Sequence, residues 1–88
     1  MTLAFPNVSR SYDARMRRVR FWAYDAALEI PFFLDTNALF HLNPWTSGDE
    51  VGLLRTFDVN REAINSAAAR IYARHRRDFY TFVASDFA

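Results

Sequence analysis

The residues best suited to chemistry in this chain are arginines that alternate with aromatic side chains. Arg18, Arg20, Trp22 and Tyr24 occupy every second position, so on a β-strand they would share one face. Guanidinium groups neutralise phosphates and flat rings stack on bases, which is the combination that single-stranded nucleic acid requires. The pattern predicts a candidate binding surface, to which Phe33 of the next segment is expected to contribute.

Two other interpretations of this surface remain open. If the long helix predicted below packs against it, Trp22 and Phe33 are core residues, and the arginines reach solvent along their aliphatic stems. Trp, Tyr and Arg are also enriched in protein–protein interfaces, so the surface equally fits a homodimer or another protein complex. The position of the helix relative to this surface separates the first interpretation from the others.

A second basic group lies near the end of the chain. Its members are Arg70, Arg74, His75, Arg76 and Arg77. All eleven Lys or Arg residues of the chain are arginines, and nine of them fall in the windows 10–20 and 70–77. Cations at a helix C-terminus are expected from the helix dipole alone, so this group needs no ligand to explain it. If the sheet brings the two windows together, their joined surface would bind anions.

Candidate catalysts and metal ligands are few. Asp58 and Glu62 lie four positions apart on a predicted helix, a spacing that suits a metal ion or paired carboxylates. Arginines three positions from Asp58 on either side favour ordinary ion pairing instead. His41 and His75 are the two histidines, and neither belongs to a zinc motif or a catalytic triad. We therefore expect a protein that is not an enzyme and uses no cofactor or metal.

The composition indicates a folded domain. Apolar residues make up 51% of the 88 and aromatic residues 17%, which is sufficient for a compact core and too high for a disordered chain. There is no cysteine, so thiol chemistry and disulfides are excluded. No signal-peptide pattern is visible, and no apolar run approaches the ~20 residues of a membrane helix. We expect one domain over residues 1–88, cytoplasmic and not associated with a membrane.

A β-hairpin predicted over residues 18–34 would position the candidate surface. With Asp25 and Ala26 at its tip, Phe21 lies opposite Ile30, and the apolar side chains form one buried face at period two. The arginine and aromatic side chains of the candidate surface then lie on the other face. A four-residue loop in the same register fits equally well, because Asp-Ala lacks the glycine that a two-residue turn favours.

Two helices are predicted after the hairpin. The first runs from an N-cap at Asp35 to Leu42. The second covers 48–76, with Ser47 and Glu50 forming a capping box at its start. The apolar residues of the second helix recur every seven positions, at Phe57, Ile64 and Ile71.

The second helix is too long for a compact domain of this size. It would span ~43 Å, whereas the expected radius of gyration is ~12 Å. It must overhang or bend, and Asn60 with Arg61, which interrupt its apolar stripe, mark the place for a kink. The β-branched and aromatic run 79–83 then predicts a strand that returns to the sheet. Leu3 and Phe5 predict a further short edge strand.

Residues that carry a family resemblance are spread over nearly the whole chain. They are Phe5-Pro6, Ser11-Tyr12-Asp13, Val19 with Phe21, Phe57 with Asn60-Arg61 and Ile64, Tyr80, and Asp86-Phe87. In their order and in the length of the chain they resemble the small bacterial proteins grouped as domain-of-unknown-function family 1488. The resemblance implies a small α+β protein with no established activity, and it supplies no functional residue.

We predict an α+β domain in which the hairpin and the C-terminal strand form a small antiparallel sheet, packed with one short and one long helix. The predicted core residues are Val19, Phe21, Ile30, Phe32, Leu39, Leu54, Phe57, Ile64, Ile71 and Phe82.

The predicted function is that of a non-enzymatic interaction or regulatory module. It would self-associate as a homo-oligomer, or bind another protein, through the apolar helix stripe or the aromatic sheet face. The alternative is a nucleic-acid-binding accessory protein that uses the arginine and aromatic surface. The candidate partner-binding residues are Arg18, Arg20, Trp22, Tyr24, Arg70, Arg74 and Arg77.

Overall fold

Within the residues that the structure describes, four strands form one sheet and three helices pack on one of its faces, so the fold is α+β as predicted. The computed structural model describes residues 3–6, 10–74, 80–83 and 86. In chain order the elements are β1 (Ser11–Asp13), β2 (Arg18–Asp25), β3 (Leu28–Asp35), α1 (Thr36–Leu42), α2 (Glu50–Val59), α3 (Arg61–Arg74) and β4 (Tyr80–Phe82). The sheet order is β1-β2-β3-β4. No helix of the described part of the chain is long and apolar enough to span a bilayer.

The β2–β3 hairpin is present, but its predicted register is wrong by two residues. Phe21 lies opposite Phe32, and the turn consists of Ala26 and Ala27. This register stacks the Phe21 and Phe32 rings, whose centroids are 5.4 Å apart, and it adds Leu34 to the buried face. Because the difference is an even number of residues, every side chain still lies on its predicted face.

The sheet is mixed, which corrects the prediction of an antiparallel one. β4 pairs with β3 in parallel, with Phe32 opposite Tyr80 and Leu34 opposite Phe82. The chain leaves β3 at Asp35, passes through the three helices, and enters β4 opposite Phe32 in the same direction as β3. Parallel strands require a long crossover of this kind. The composition of a strand does not indicate its direction, so the sequence pattern alone could not reveal this.

The predicted long helix is divided into α2 and α3 at Asn60, the position that the interrupted apolar stripe predicts for a kink. Asn60 has φ −101° and ψ 15°, and its side-chain Nδ2 donates to the carbonyl oxygen of Thr56 at 2.9 Å. The division allows both helices to stay over the sheet. The radius of gyration is accordingly 12.3 Å, and the longest dimension of the described chain is 36 Å.

The helix caps agree with the prediction at α1 and differ at α2. Asp35 caps α1 by accepting a hydrogen bond from the backbone N–H of Asn37 at 2.8 Å. The N-cap of α2 is Asp49, which accepts from Gly52 N at 2.8 Å, so the predicted capping box starting at Ser47 is wrong. Ser and Asp are equally good N-caps, and the three-dimensional path of the loop selects between them.

The core lies between the helices and one face of the sheet. Eight of the ten predicted core residues are buried: Val19, Phe21, Ile30, Phe32, Leu39, Phe57, Ile64 and Phe82. Leu54 and Ile71 are only partly buried. On α3, Ala68 and Tyr72 lie in the core with Ile64. The buried stripe of α3 therefore follows a four-residue spacing, and the seven-residue spacing does not continue to Ile71.

Two short segments extend the sheet beside β2. Ala4 and Tyr24 exchange two backbone hydrogen bonds of 2.8 Å, so the predicted edge strand near Leu3 and Phe5 is present as a single bridge. β1, which the sequence analysis did not predict, pairs antiparallel with the beginning of β2. Its Asp13 lies opposite Arg18, which brings a carboxylate next to the candidate surface.

Candidate functional site

The second face of the sheet has no helix or strand of the described chain over it, and we call it the open face. Its side chains are Arg18, Arg20, Trp22 and Tyr24 of β2, Glu29, Pro31, Phe33 and Asp35 of β3, Ser11 and Asp13 of β1, and Thr81 of β4. Along β2 these residues alternate with fully buried ones. Because the helices pack on the opposite face, Trp22 and Phe33 are half-buried and do not belong to the core.

Two arginines of the open face lie over aromatic rings. The guanidinium carbon of Arg18 is 3.9 Å from the centroid of the Phe33 ring. That of Arg20 is 5.1 Å from the Trp22 ring. Each such contact stabilises by ~0.5–1 kcal/mol where it is exposed. The guanidinium groups therefore occupy ring faces on which a nucleic-acid base would otherwise stack.

The same arginines face carboxylates at longer distances. Arg18 Nε is 3.7 Å from an oxygen of Asp13, and Arg20 Nη2 is 3.7 Å from an oxygen of Glu29. The open face carries these two cations and three carboxylates, the third being Asp35, so its formal net charge is −1. The first arginine window is strongly basic in sequence, yet the face to which it contributes is not. Sequence reasoning missed Asp13, because only the pairing of β1 with β2 brings it there.

The second candidate cluster does not join the open face. Arg70 and Arg74 are exposed on α3, which belongs to the helical layer on the other side of the sheet. Arg77 lies outside the described residues. The candidate residues of β2 and those of α3 therefore do not form a joined anion-binding surface within the described chain.

Asp58 forms a close ion pair that its sequence neighbours did not suggest. Both of its oxygens accept from Arg10, with Nε and Nη2 each at 2.8 Å, although the two residues are 48 positions apart. The hydrogen bonds to Asp58 raise the pKa of Arg10 above its ordinary value. The pair links the segment before β1 to α2. Among the described residues, no group of three or more His, Cys, Asp or Glu has the arrangement of a metal site.

Arg61 lies beside this ion pair and is half-buried. Its guanidinium carbon is 4.9 Å from the Phe57 ring centroid and 5.6 Å from that of Phe21. Burial lowers the pKa of Arg61, while the nearby Asp58 partly offsets this effect. The residue joins α3 to the sheet through its contacts with aromatic rings.

Three further residues, the two histidines and Trp45, have side chains suited to binding or catalysis. His41 is exposed on α1, and His75 lies outside the described residues. Trp45 is 92% exposed, and the sequence analysis did not identify it as a candidate. Its backbone is held in place, since Trp45 N donates to Asn43 Oδ1 at 3.1 Å and Thr46 Oγ1 lies 2.9 Å from Thr56 Oγ1. The only sequence signal was a tryptophan in a loop that follows a proline.

Comparison with known proteins identifies the family. The family described as "Protein of unknown function (DUF1488)" matches residues 3–83, a stretch that includes all four strands and all three helices. No curated protein and no solved structure matches the chain. The match agrees with the resemblance described in the sequence analysis. The chain therefore belongs to the DUF1488 family of proteins of unknown function.

Proposed function

We propose that this protein is a non-enzymatic, self-associating interaction module of the cytoplasm, and that it associates through the open face. The observation that carries the proposal is a sheet face bearing half-buried Trp22 and Tyr24 that the helices of the described chain leave uncovered. Tryptophan, tyrosine and arginine are the residue types that contribute most to binding energy at interfaces.

The arrangement of the open face supports this function. Trp22, Pro31 and Phe33 lie on neighbouring positions of the two central strands. Charged residues stand at both ends of these strands, Arg18 with Asp35 at one end and Glu29 at the other. An apolar centre with a polar rim is the usual composition of a protein–protein interface.

The charge of the open face supports a second copy as the partner. A strongly basic face would repel an identical face, whereas two cations and three carboxylates nearly cancel. The apolar helix stripe, which the sequence offered as another self-association surface, is less suitable. Phe57 and Ile64, at its centre, are fully buried against the sheet.

Light scattering after size exclusion tests the proposal. We expect a mass at a multiple of 10.3 kDa that persists as salt is raised from low to moderate. Trp22→Ser should give monomers, whereas Trp45→Ser, the same substitution at the other tryptophan, should leave the mass unchanged. A wild-type protein that is monomeric at every concentration would overturn the proposal, as would equal effects of the two substitutions.

Tryptophan fluorescence provides a second test of association through the open face. With Trp45 replaced by Phe, Trp22 is the only tryptophan, and its emission should shift to shorter wavelength as the protein concentration rises. With Trp22 replaced by Phe, the emission of Trp45 should not depend on concentration. A shift confined to Trp45 would contradict the proposed surface.

Nucleic-acid binding is the second candidate. Arg15 and Arg17 are exposed in the turn that leads into Arg18, and they would extend a cationic surface beyond the open face. We rank this function second because the face itself has a net charge of −1 and its guanidinium groups already cover rings. If it holds, a labelled single-stranded oligonucleotide should bind at low salt, and Arg15→Ala should reduce the salt dependence of the affinity.

A further inference from the structure

We propose that two copies pack open face to open face about a two-fold axis that runs parallel to the strands, between β2 and β3. This inference rests on the proposed function and adds the arrangement of the pair. In this arrangement β2 of each copy lies over β3 of the other.

The distribution of charge over the two central strands carries the inference. On the open face, β2 bears Arg18 and Arg20 and no carboxylate, whereas β3 bears Glu29 and Asp35 and no cation. The open side of β2 therefore has a charge of +2 and that of β3 a charge of −2. A face that is nearly neutral as a whole is thus divided into a positive strand and a negative strand.

A two-fold axis parallel to the strands makes this division complementary. Such an axis exchanges the positions of β2 and β3 and keeps each residue at its level along the strand. Arg18 of one copy then faces Asp35 of the second, and Tyr24 faces Glu29. Packed sheets lie ~10 Å apart, a gap that two opposed side chains of this size fill. Because packed sheets cross at ~30°, the strands of the two copies are closest near Trp22 and separate toward both ends.

A two-fold axis perpendicular to the strands has the opposite effect. It places β2 over β2 and β3 over β3, so that strands of like charge face each other. Glu29 of one copy would lie over Asp35 of the other, and like charges in contact oppose association. The charge pattern thus distinguishes the two face-to-face arrangements.

The arginines of the open face remain able to bind a partner. Their distances to carboxylates within the chain are 3.7 Å, for Arg18 with Asp13 and for Arg20 with Glu29. Arg10 and Asp58 on the helical side are, in contrast, 2.8 Å apart in two hydrogen bonds. Charge-assisted hydrogen bonds are ~2.7–2.9 Å long. The guanidinium groups of the open face therefore have donors left for carboxylates of a second copy.

Crosslinking of single cysteines tests the arrangement, since the chain has no cysteine of its own. Tyr24 lies at the end of the open face that is farthest from Arg18. The spacings of strands, residues and sheets place the two copies of Tyr24 ~11 Å apart in the proposed pair. With a perpendicular axis the same spacings separate them by ~22 Å. Ser11 gives the reverse result, with ~18 Å in the proposed pair and ~12 Å for the perpendicular axis.

A short bis-maleimide should therefore crosslink Tyr24→Cys to itself and leave Ser11→Cys largely uncrosslinked. Glu29→Cys, at the same level as Tyr24, should behave like Tyr24→Cys and serves if that variant folds poorly. Crosslinking of Ser11→Cys alone, or equal crosslinking at both levels, would overturn the arrangement. If the protein is dimeric with that result, the proposed function stands and the arrangement fails. If the wild-type protein is monomeric, the proposed function itself fails.

Discussion

Tyr72 of α3 donates a hydrogen bond of 2.5 Å to Asp25 Oδ2 at the tip of the hairpin, 47 residues earlier in the chain. Tyr72 is only 5% exposed, and its ring meets Tyr80 of β4 edge to face at a centroid distance of 5.8 Å. One side chain thus ties the last helix to the hairpin tip and to the edge strand. The contact holds the helical layer on the core side of the sheet and so helps to leave the other face open.

Removal of the Tyr72 hydroxyl tests how much this hydrogen bond contributes to stability. We expect Tyr72→Phe to lower the free energy of unfolding by ~1.5–3 kcal/mol, because a hydrogen bond to a charged acceptor is lost and Asp25 loses a partner. Urea denaturation measures the difference. Tyr24→Phe is the matched control, since its hydroxyl is 3.4 Å from Glu29 on the open face, and at a concentration at which the protein is monomeric it should change stability by less than ~0.5 kcal/mol. Equal losses in the two variants would show that the Tyr72 contact has no special role.

The two glycines should respond differently to replacement by alanine. A Cβ at Gly52 would lie 2.5 Å from the Cβ and 2.6 Å from the carbonyl oxygen of Ser47. We expect Gly52→Ala to destabilise by ~1–3 kcal/mol through overpacking, although alanine favours helix by ~1 kcal/mol.

Gly48→Ala is the control for this substitution. Its Cβ would lie 3.9 Å from Phe40 Cζ, which is ordinary van der Waals contact, so we expect little change. Thermal unfolding of both variants provides the comparison. A Gly52→Ala protein more stable than the wild type would show that the loop at Ser47 shifts at little cost.

The hairpin turn contains an alanine in the left-handed region. Ala26 has φ 55°, a conformation that costs an L-residue ~1–2 kcal/mol. Ala26→Gly should therefore stabilise the protein by ~0.5–1 kcal/mol after the greater entropy of the unfolded glycine is included. Ala27→Gly, next to it at a position without positive φ, should destabilise. Chemical denaturation that ranks the two variants in the reverse order would contradict the turn geometry.

The Arg10–Asp58 ion pair should make a modest contribution to stability. The side chains are 31% and 47% exposed, so solvent screening limits the effect, and we expect Arg10→Ala to cost ~0.5–1 kcal/mol. Arg55→Ala on the exposed side of α2 is the control and should cost less. The difference between the variants should shrink as salt is added. A difference that is independent of salt would show that Arg10 stabilises by packing alone.

The ion pair should also hold from neutral to mildly alkaline pH. Because Asp58 raises the pKa of Arg10, its contribution to stability is fully present below the ordinary arginine value. It is lost only as the pH rises through the raised pKa of the folded state. The difference between wild type and Arg10→Ala should consequently be the same at neutral and at mildly alkaline pH.

Local patterns in the sequence predicted much of this structure. The alternation in β2 and β3 identified both faces of the hairpin, Asp35 marked the start of α1, and Asn60 marked the division of the long helix. Each of these features depends on residues a few positions apart, whose geometry follows from the period of a strand or the first turn of a helix. The register of the hairpin was missed because its turn has no glycine to mark it.

Long-range contacts determined the rest. The direction of β4 and the side of the sheet that the helices cover depend on segments that are distant in the chain. The approach of Asp13 to Arg18 depends on the pairing of β1 with β2. Tertiary structure also converted a basic stretch of sequence into a face whose charges nearly cancel. Sequence by itself determined which side chains share a face, because that depends on local period. The burial of that face and its final charge were decided only by the packing of the whole chain, because they depend on which other segments come to lie beside it.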